Sequence, residues 1–345
     1  MTKIKFLKID KIILFGGARL LSELAQYLKT ETDFESVVFS SSRHLKEYVG
    51  GGSSLREVLE KNNIKYYNSD NINKDANLKR EITRNSLGLA IGASWVFEKS
   101  TVNLFQKNYL LDFMGIDLPR YDGGAHYTWK ILNQSKINGA NLQIIKGGEE
   151  TFHRGEVIKS QEYKLSEDLK RPIDYFKFII KKEIAFLESF LKEVQAGKEF
   201  GLKKLEEGRM SYFPFLSTKN NGLINWSWFG KEIYLFINAF DSPYAGASTF
   251  LYKEKVFLRD CTILKTEENF HSFCSGLVIR KSESGIVVAV TGGALLIKEA
   301  IDDSGNKING KIKLGSRFYT PYDVLEKAIN FEASYDAKGV KNKKI

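Results

Sequence analysis

Apolar positions in the first hundred residues fall into short continuous runs separated by amphipathic stretches. KIILFGG (residues 11–17) reads as a buried strand ending in a glycine turn, and ARLLSELAQYL after it places Leu20, Leu21, Leu24 and Leu28 on one face of a helix. ESVVFSSS (35–42) is a second buried strand, SLREVLEKNN (54–63) a helix capped near Ser53 or Ser54, and IKYYNSD (64–70) a short strand. LGLAIGASWVF (87–97) is a further apolar strand closed by glycine. This alternation predicts a mainly parallel, doubly wound α/β sheet. Ligands of such sheets lie beyond the carboxyl ends of the strands, which directs attention to the loops after Phe15, Ile91 and Leu111.

Farther along, RPIDYFKFIIKKEIAFLESFLKEV (171–194) carries apolar residues at 173, 176, 180, 184, 187, 191 and 194, and Pro172 suits the first turn of a helix. After Gly208 the pattern changes to strand-like pieces bounded by turn residues: KEIYLFINAF (231–240), STFLYKEKVFLRDCTIL (248–264), SGLVIRKSESGIVVAVTGGALLIKEAI (275–301) and INGKIKLGSRF (308–318). These predict a small antiparallel β-barrel of OB-like type. The expected organisation is a Rossmann-like domain over residues 1–197, a linker over 198–211, the barrel over 212–330, and a basic, disordered tail over 331–345.

Composition narrows the function classes only modestly. The net charge of +10 divides evenly, +5 on either side of Lys198, so no segment is marked as a nucleic-acid arm. No apolar run reaches the roughly 18 residues of a membrane helix, and the start lacks the layout of a signal peptide, so a cytoplasmic protein without membrane insertion is expected. Cys261 and Cys274 fall in separate strand-like segments, and His44, His126, His153 and His271 are scattered, so no metal site is expected. FGGAR lacks the full G-x-G-x-x-G spacing and reads as a tight strand-to-helix turn.

LPRYDGGAHYTWKIL (118–132) is similar to the LPRYRGGGGFSW and LPRYRGAAP loops of the folate-dependent formyltransferases, which include methionyl-tRNA and aminosugar enzymes. IGASWVF (91–97) resembles the loop that contacts folate in that family, and FHRGEVI (152–158) occupies its D-x-G-x-I position. GLINWSW (222–228), SPYAGASTF (242–250) and GSRFYTP (315–321) resemble its carboxyl-terminal barrel. The resemblance implies 10-formyltetrahydrofolate as donor at Ile91, Gly92, Ala93, Ser94 and Trp95, and an amine acceptor beside Arg120, Tyr121, Gly123, Gly124, His126 and Trp129. Even charge favours an amino sugar nucleotide over tRNA as that acceptor.

The family pattern N-x-H-x-S-x-L-P, counted back from Pro119, puts Asp112, Met114 and Ile116 at the asparagine, histidine and serine positions. His153 stands at the D-x-G aspartate. Formyl transfer to an amine passes through a tetrahedral oxyanion, so the site has to donate hydrogen bonds to that oxygen and take a proton from nitrogen. An ionised aspartate only accepts hydrogen bonds, and a thioether neither donates nor titrates. Two readings therefore stand: a formyltransferase with altered catalytic groups, in which Asp112 and His153 form a substitute proton shuttle, or a catalytically inactive relative that keeps a ligand or partner surface. Trp226 and Trp228 read as packing aromatics of the barrel rather than a base-stacking platform.

Overall fold

The computed structural model describes residues 2–50, 52–148, 154–265, 269–337 and 339–342. Its larger sheet has seven strands: β1 (Lys11–Gly16), β2 (Glu35–Ser40), β3 (Tyr66–Asn68), β4 (Ser86–Ile91), β5 (Leu110–Met114), β6 (Ile137–Ile144) and β7 (Val157–Lys164). They lie in the order β7-β6-β5-β4-β1-β2-β3. The five strands from β3 to β5 run parallel, while β6 and β7 extend the sheet antiparallel beyond β5. Strand order reverses between β1 and β4, so the crevice of this doubly wound sheet opens where β1 ends at Gly16 and β4 at Ile91.

Local signals account for most of these elements. β1 and β4 are buried along their whole length, as continuous apolar runs require of interior parallel strands. Helix α1 (Ala18–Glu31) buries Leu20, Leu21, Leu24 and Leu28, the stripe that the spacing predicts. Helix α2 (Leu55–Lys61) begins at Ser54, whose hydroxyl and the Glu57 carboxylate cap each other's backbone amides. Helix α3 (His126–Leu132) follows the glycine-rich loop, and α4 (Pro172–Gln195) is the long amphipathic helix.

The buried face of α4 is rotated from its expected position: Tyr175, Ile179, Glu183, Phe186 and Phe190 join Ile180, Leu187, Leu191 and Val194 inside, while Phe176 is exposed. The rotation arises because this helix serves two cores. Phe186, Leu187, Phe190, Leu191 and Val194 pack under the seven-stranded sheet, whereas Tyr175 and Ile179 pack with the barrel and with Ile131 of α3.

The second sheet contains β8 (Ala247–Leu251), β9 (Glu254–Leu264), β10 (Val278–Ser282), β11 (Gly285–Val290) and β12 (Gly293–Asp302), in the order β8-β9-β12-β11-β10, all antiparallel. Residues 315–319 close it. Val278 N donates to Ser316 O (2.8 Å) and Phe318 N to Gly276 O (2.8 Å) at one edge, and Phe250 and Tyr319 exchange backbone bonds of 2.9 and 3.0 Å at the other. INGKIKLGSRF is therefore a 3-10 turn (Asn309–Lys311) plus this staple rather than a strand. KEIYLFINAF is also not a strand but helix α5 (Gly230–Ala239), in which Ile233, Phe236 and Ile237 are buried at steps of three and one. Its β-branched and aromatic content suggested a strand, but its burial has helical period and Glu232 caps the Phe229 amide.

Two segments outside the two expected domains carry strand pairs. Glu199–Gly201 pairs antiparallel with Lys3–Lys5, and Phe200 is buried in the first core. Ala333–Asp336 pairs with Gly339–Asn342, and buried Ala337 joins the same core. Cys274 lies in a 3-10 turn rather than a strand, and Trp226 stacks on Phe318 with centroids 5.8 Å apart. No helix among the described residues is long and apolar enough to cross a membrane.

Candidate active site

At the switch point two backbones approach closely. Gly17 N donates to Ile91 O (3.1 Å), and a Cβ on Gly16, whose φ is +119°, would lie 2.2 Å from that same oxygen. Only glycine fits there. The following loop turns through Gly92 (φ +59°) and buries Trp95. Within it the Ser94 hydroxyl and the Trp95 indole N–H are buried without a hydrogen-bond partner. Such groups are normally satisfied, so two orphaned polar groups side by side in a crevice loop set it apart from ordinary packing.

His44, which motif spacing did not single out, closes the crevice from the β2 side: a Cβ on Gly17 would fall 2.5 Å from its ring. Burial first, and Arg43 second, push its pKa down to about 3, so the ring is neutral. Its Nε2 lies 2.7 Å from the Arg43 guanidinium, which only donates, so Nδ1 carries the proton, and Nδ1 is a third buried atom without a partner.

The positions that the resemblance marks as candidates lie one strand over. Asp112 of β5 stands in register between Ala90 of β4 and Gln143 of β6, and Met114 opposite Asn141. Asp112 and Met114 alternate with Phe113, whose ring meets Phe186 of α4, so the two face away from that helix. Met114 is buried and Ile116 wholly so; the Ile116 carbonyl accepts from the Asn141 amide. Gln143 Nε2 donates to Gly155 O (2.8 Å), which ties the segment after His153 to the neighbour of Asp112. His153 itself lies outside the described residues.

The glycine-rich loop is held from beneath and above. Buried Asp117 takes Lys130 Nζ at 2.7 Å and the Arg120 guanidinium at 3.0 Å, and Arg120 also reaches Glu162 at 3.3 Å. Lys130 Nζ lies 3.9 Å from the centroid of the Tyr121 ring. Above, Asp122–Gly123 pairs in parallel with Tyr212–Phe213, Tyr121 stacks on Phe213 at 4.8 Å, and Trp129 Nε1 donates to Pro214 O (2.9 Å). A Cβ on Gly123 would lie 2.0 Å from Phe213 O, and one on Gly124 2.1 Å from the Phe215 ring. The two glycines thus admit residues 213–215, while His126 Nε2 sits 3.1 Å from Gly123 O.

The structure therefore brings Ile91–Trp95, Asp112 and Met114 to one end of adjacent strands, and gives Arg120, Tyr121, Gly123, Gly124 and Trp129 partners within the chain. Asp117, Lys130 and His44 were missed. A lysine inside the apolar run YTWKIL was the available signal for the first two; nothing local marked His44. Among the described residues no group of three or more His, Cys, Asp or Glu is placed to hold a metal.

Residues 216–314 match the model of the formyl transferase C-terminal domain. That stretch, less than a third of the chain, is similar to the carboxyl-terminal domain of formyl transferases. The chain is 27% identical over 192 residues to the methionyl-tRNA formyltransferase of Acetivibrio thermocellus, covering 55% of this chain and 58% of that enzyme. The chain spans about three-fifths of the length of methionyl-tRNA formyltransferases that it matches. In fold it resembles the N-formyltransferase of Helicobacter canadensis crystallised with folinic acid and dTDP-3-aminofucose (TM-score 0.59, 16% identity, 84% of this chain and 99% of that one). It also resembles HypX of Aquifex aeolicus in complex with tetrahydrofolic acid (TM-score 0.55, 16% identity, 92% of this chain and 47% of that one).

Proposed function

We propose that this formyltransferase-like protein binds 10-formyltetrahydrofolate in the crevice between β1 and β4 and passes its formyl group, slowly, to an amine. The observation that carries this reading is the pair of orphaned donors, Ser94 Oγ and Trp95 Nε1, in the loop that resembles the family's folate loop. A pterin with its ring nitrogens and carbonyl oxygen offers the acceptors these donors lack, so the residues present fit it. When bound, the folate supplies the formyl carbon.

The chain's own contribution to transfer is reduced. Asp112, in the middle of β5, would take the proton from the attacking nitrogen, whereas Met114, which ends the strand, gives the developing oxyanion no hydrogen bond. Losing one such donor typically costs about 10²–10³ in rate. The buried thioether of Met114 favours a second reading, donor binding without transfer. An amine on a sugar nucleotide is the preferred acceptor: the Helicobacter relative was crystallised with one, and the even charge of this chain supplies no basic segment for tRNA.

Titration with 5-formyltetrahydrofolate, followed by Trp fluorescence and calorimetry, tests the donor site. Saturable binding is expected, weakened roughly fivefold in Trp95→Phe, which keeps the ring and loses a hydrogen bond worth about 1 kcal/mol. Equal binding by both proteins would remove the indole N–H from the site, and no binding by either would remove folate from the account.

A further inference from the structure

Behind the catalytic strand lies a carboxyl that the proposed chemistry does not use. Glu183 of α4 is buried, and a Cβ on Gly115, the residue after Met114, would lie 2.0 Å from Glu183 Oε1. The absence of a side chain at Gly115 is what lets the carboxyl in. It has no ion-pair or hydrogen-bond partner among the described residues, and burial pushes its pKa up to about 8.

Asn138 of β6, fully buried, also meets Gly115, and it shares Tyr163 as a neighbour with Glu183. Its orientation is fixed, because Nδ2 donates to Gly115 O (3.1 Å) and to the Tyr163 hydroxyl (2.9 Å), a carbonyl that can only accept being one of the two. Its Oδ1 is left buried without a donor. A buried acceptor lacking a donor and a buried carboxyl lacking a partner thus adjoin the same glycine. Each is costly alone, and a protonated carboxyl supplies the one donor that relieves both.

We infer that Glu183 is carried as the neutral acid and donates its proton to Asn138 Oδ1, forming a lock that fixes α4 to the end of the strand bearing Asp112 and Met114. Glu183 acts here as a positioning residue. The titratable groups that face it are Tyr127 from α3 and Tyr163 from β7, both with pKa values raised by burial and then by Glu183 itself, so neither can neutralise a carboxylate. Burial is the one influence on Glu183, and Lys130 and Arg120 are engaged by Asp117.

The sign follows from linkage. A carboxyl whose folded pKa exceeds its unfolded value holds a proton in the folded state that the unfolded chain has released, so its contribution is fully present below about pH 4.5 and is lost as pH rises through about 8. Thermal unfolding of the full chain between pH 5 and 9 tests this with three variants. Wild type is expected to lose stability steadily up to about pH 8; Glu183→Gln, which still donates but cannot ionise, is expected to remove that slope and to melt higher than wild type at pH 8. Glu183→Met is expected to be equally flat but lower, and in an Asn138→Ala background the difference between Gln and Met should vanish. Infrared spectra at pH 6.5 should show a protonated carboxyl band in wild type that Glu183→Gln lacks. An unchanged slope in Glu183→Gln, the absence of that band, or a Gln–Met difference that survives in Asn138→Ala would overturn the lock.

Discussion

Replacing Asp117 by alanine is expected to destabilise the protein by about 3–5 kcal/mol, because it strands a buried charge that no other carboxylate among the described residues reaches. Lys130 Nζ is fully buried and lies 2.7 Å from Asp117, its only carboxylate partner among the described residues; its other contacts are the Ile137 carbonyl at 3.0 Å and the Tyr121 ring. Burial lowers the Lys130 pKa even with Asp117 drawing it upward, so desolvation already weighs against this charge before the partner is removed. The midpoint of thermal unfolding should fall by on the order of 10 °C. Removing both members should cost far less, since a packed apolar pair avoids the desolvation penalty. Asp117→Leu combined with Lys130→Met is therefore expected to recover most of the loss, and the comparison by urea denaturation separates a stranded charge from a general packing defect. Because Asp117 also holds Arg120, the single variant should loosen the glycine-rich loop as well.

Gly16→Ala is the second substitution with a large expected effect, and it acts directly on the proposed donor crevice. The backbone at Gly16 has φ +119°, a conformation that costs an L-residue about 1–3 kcal/mol, and the new methyl would meet Ile91 O at 2.2 Å and Ala93 N at 2.9 Å. Those are backbone atoms of β4 and its loop, so relief requires β1 and β4 to part at their carboxyl ends. A loss of roughly 3 kcal/mol in stability is expected, with donor binding falling more than in Trp95→Phe. Gly92→Ala is the control: it has positive φ but nothing within 4 Å of a new Cβ, so it should cost only the backbone term. Equal damage from the two would show that the close approach of β1 to β4 is not what matters.

The parallel half of the fold was legible because its strands are continuous apolar runs and its helices keep their caps, as in Ser54 with Glu57. What failed did so where tertiary context overrode local pattern. KEIYLFINAF has strand-forming composition on a helical period, and the face of α4 turned because a single helix is shared by two cores. The site divides in the same way. The loop after Ile91 was legible as a glycine turn closing an apolar strand, and spacing to Pro119 singled out Asp112 and Met114 as candidates. That the diglycine accommodates residues 213–215, and that Asp117 and Lys130 pair beneath it, depends on contacts across many residues. Glu183 read as one polar position in an amphipathic helix; only its approach to Gly115 distinguishes it.

The central claim is that the donor crevice is intact while the end of β5 has lost its oxyanion donor. Single-turnover formyl transfer from 10-formyltetrahydrofolate to a panel of dTDP-linked amino sugars and methionyl-tRNA measures it most directly, comparing the unmodified chain with a variant carrying Asp112→Asn, Met114→His and His153→Asp. The account predicts similar donor affinity in the two proteins and transfer at least about 10²-fold faster in the variant. Transfer by the unmodified chain as fast as by the variant, or donor affinity that appears only in the variant, would contradict it.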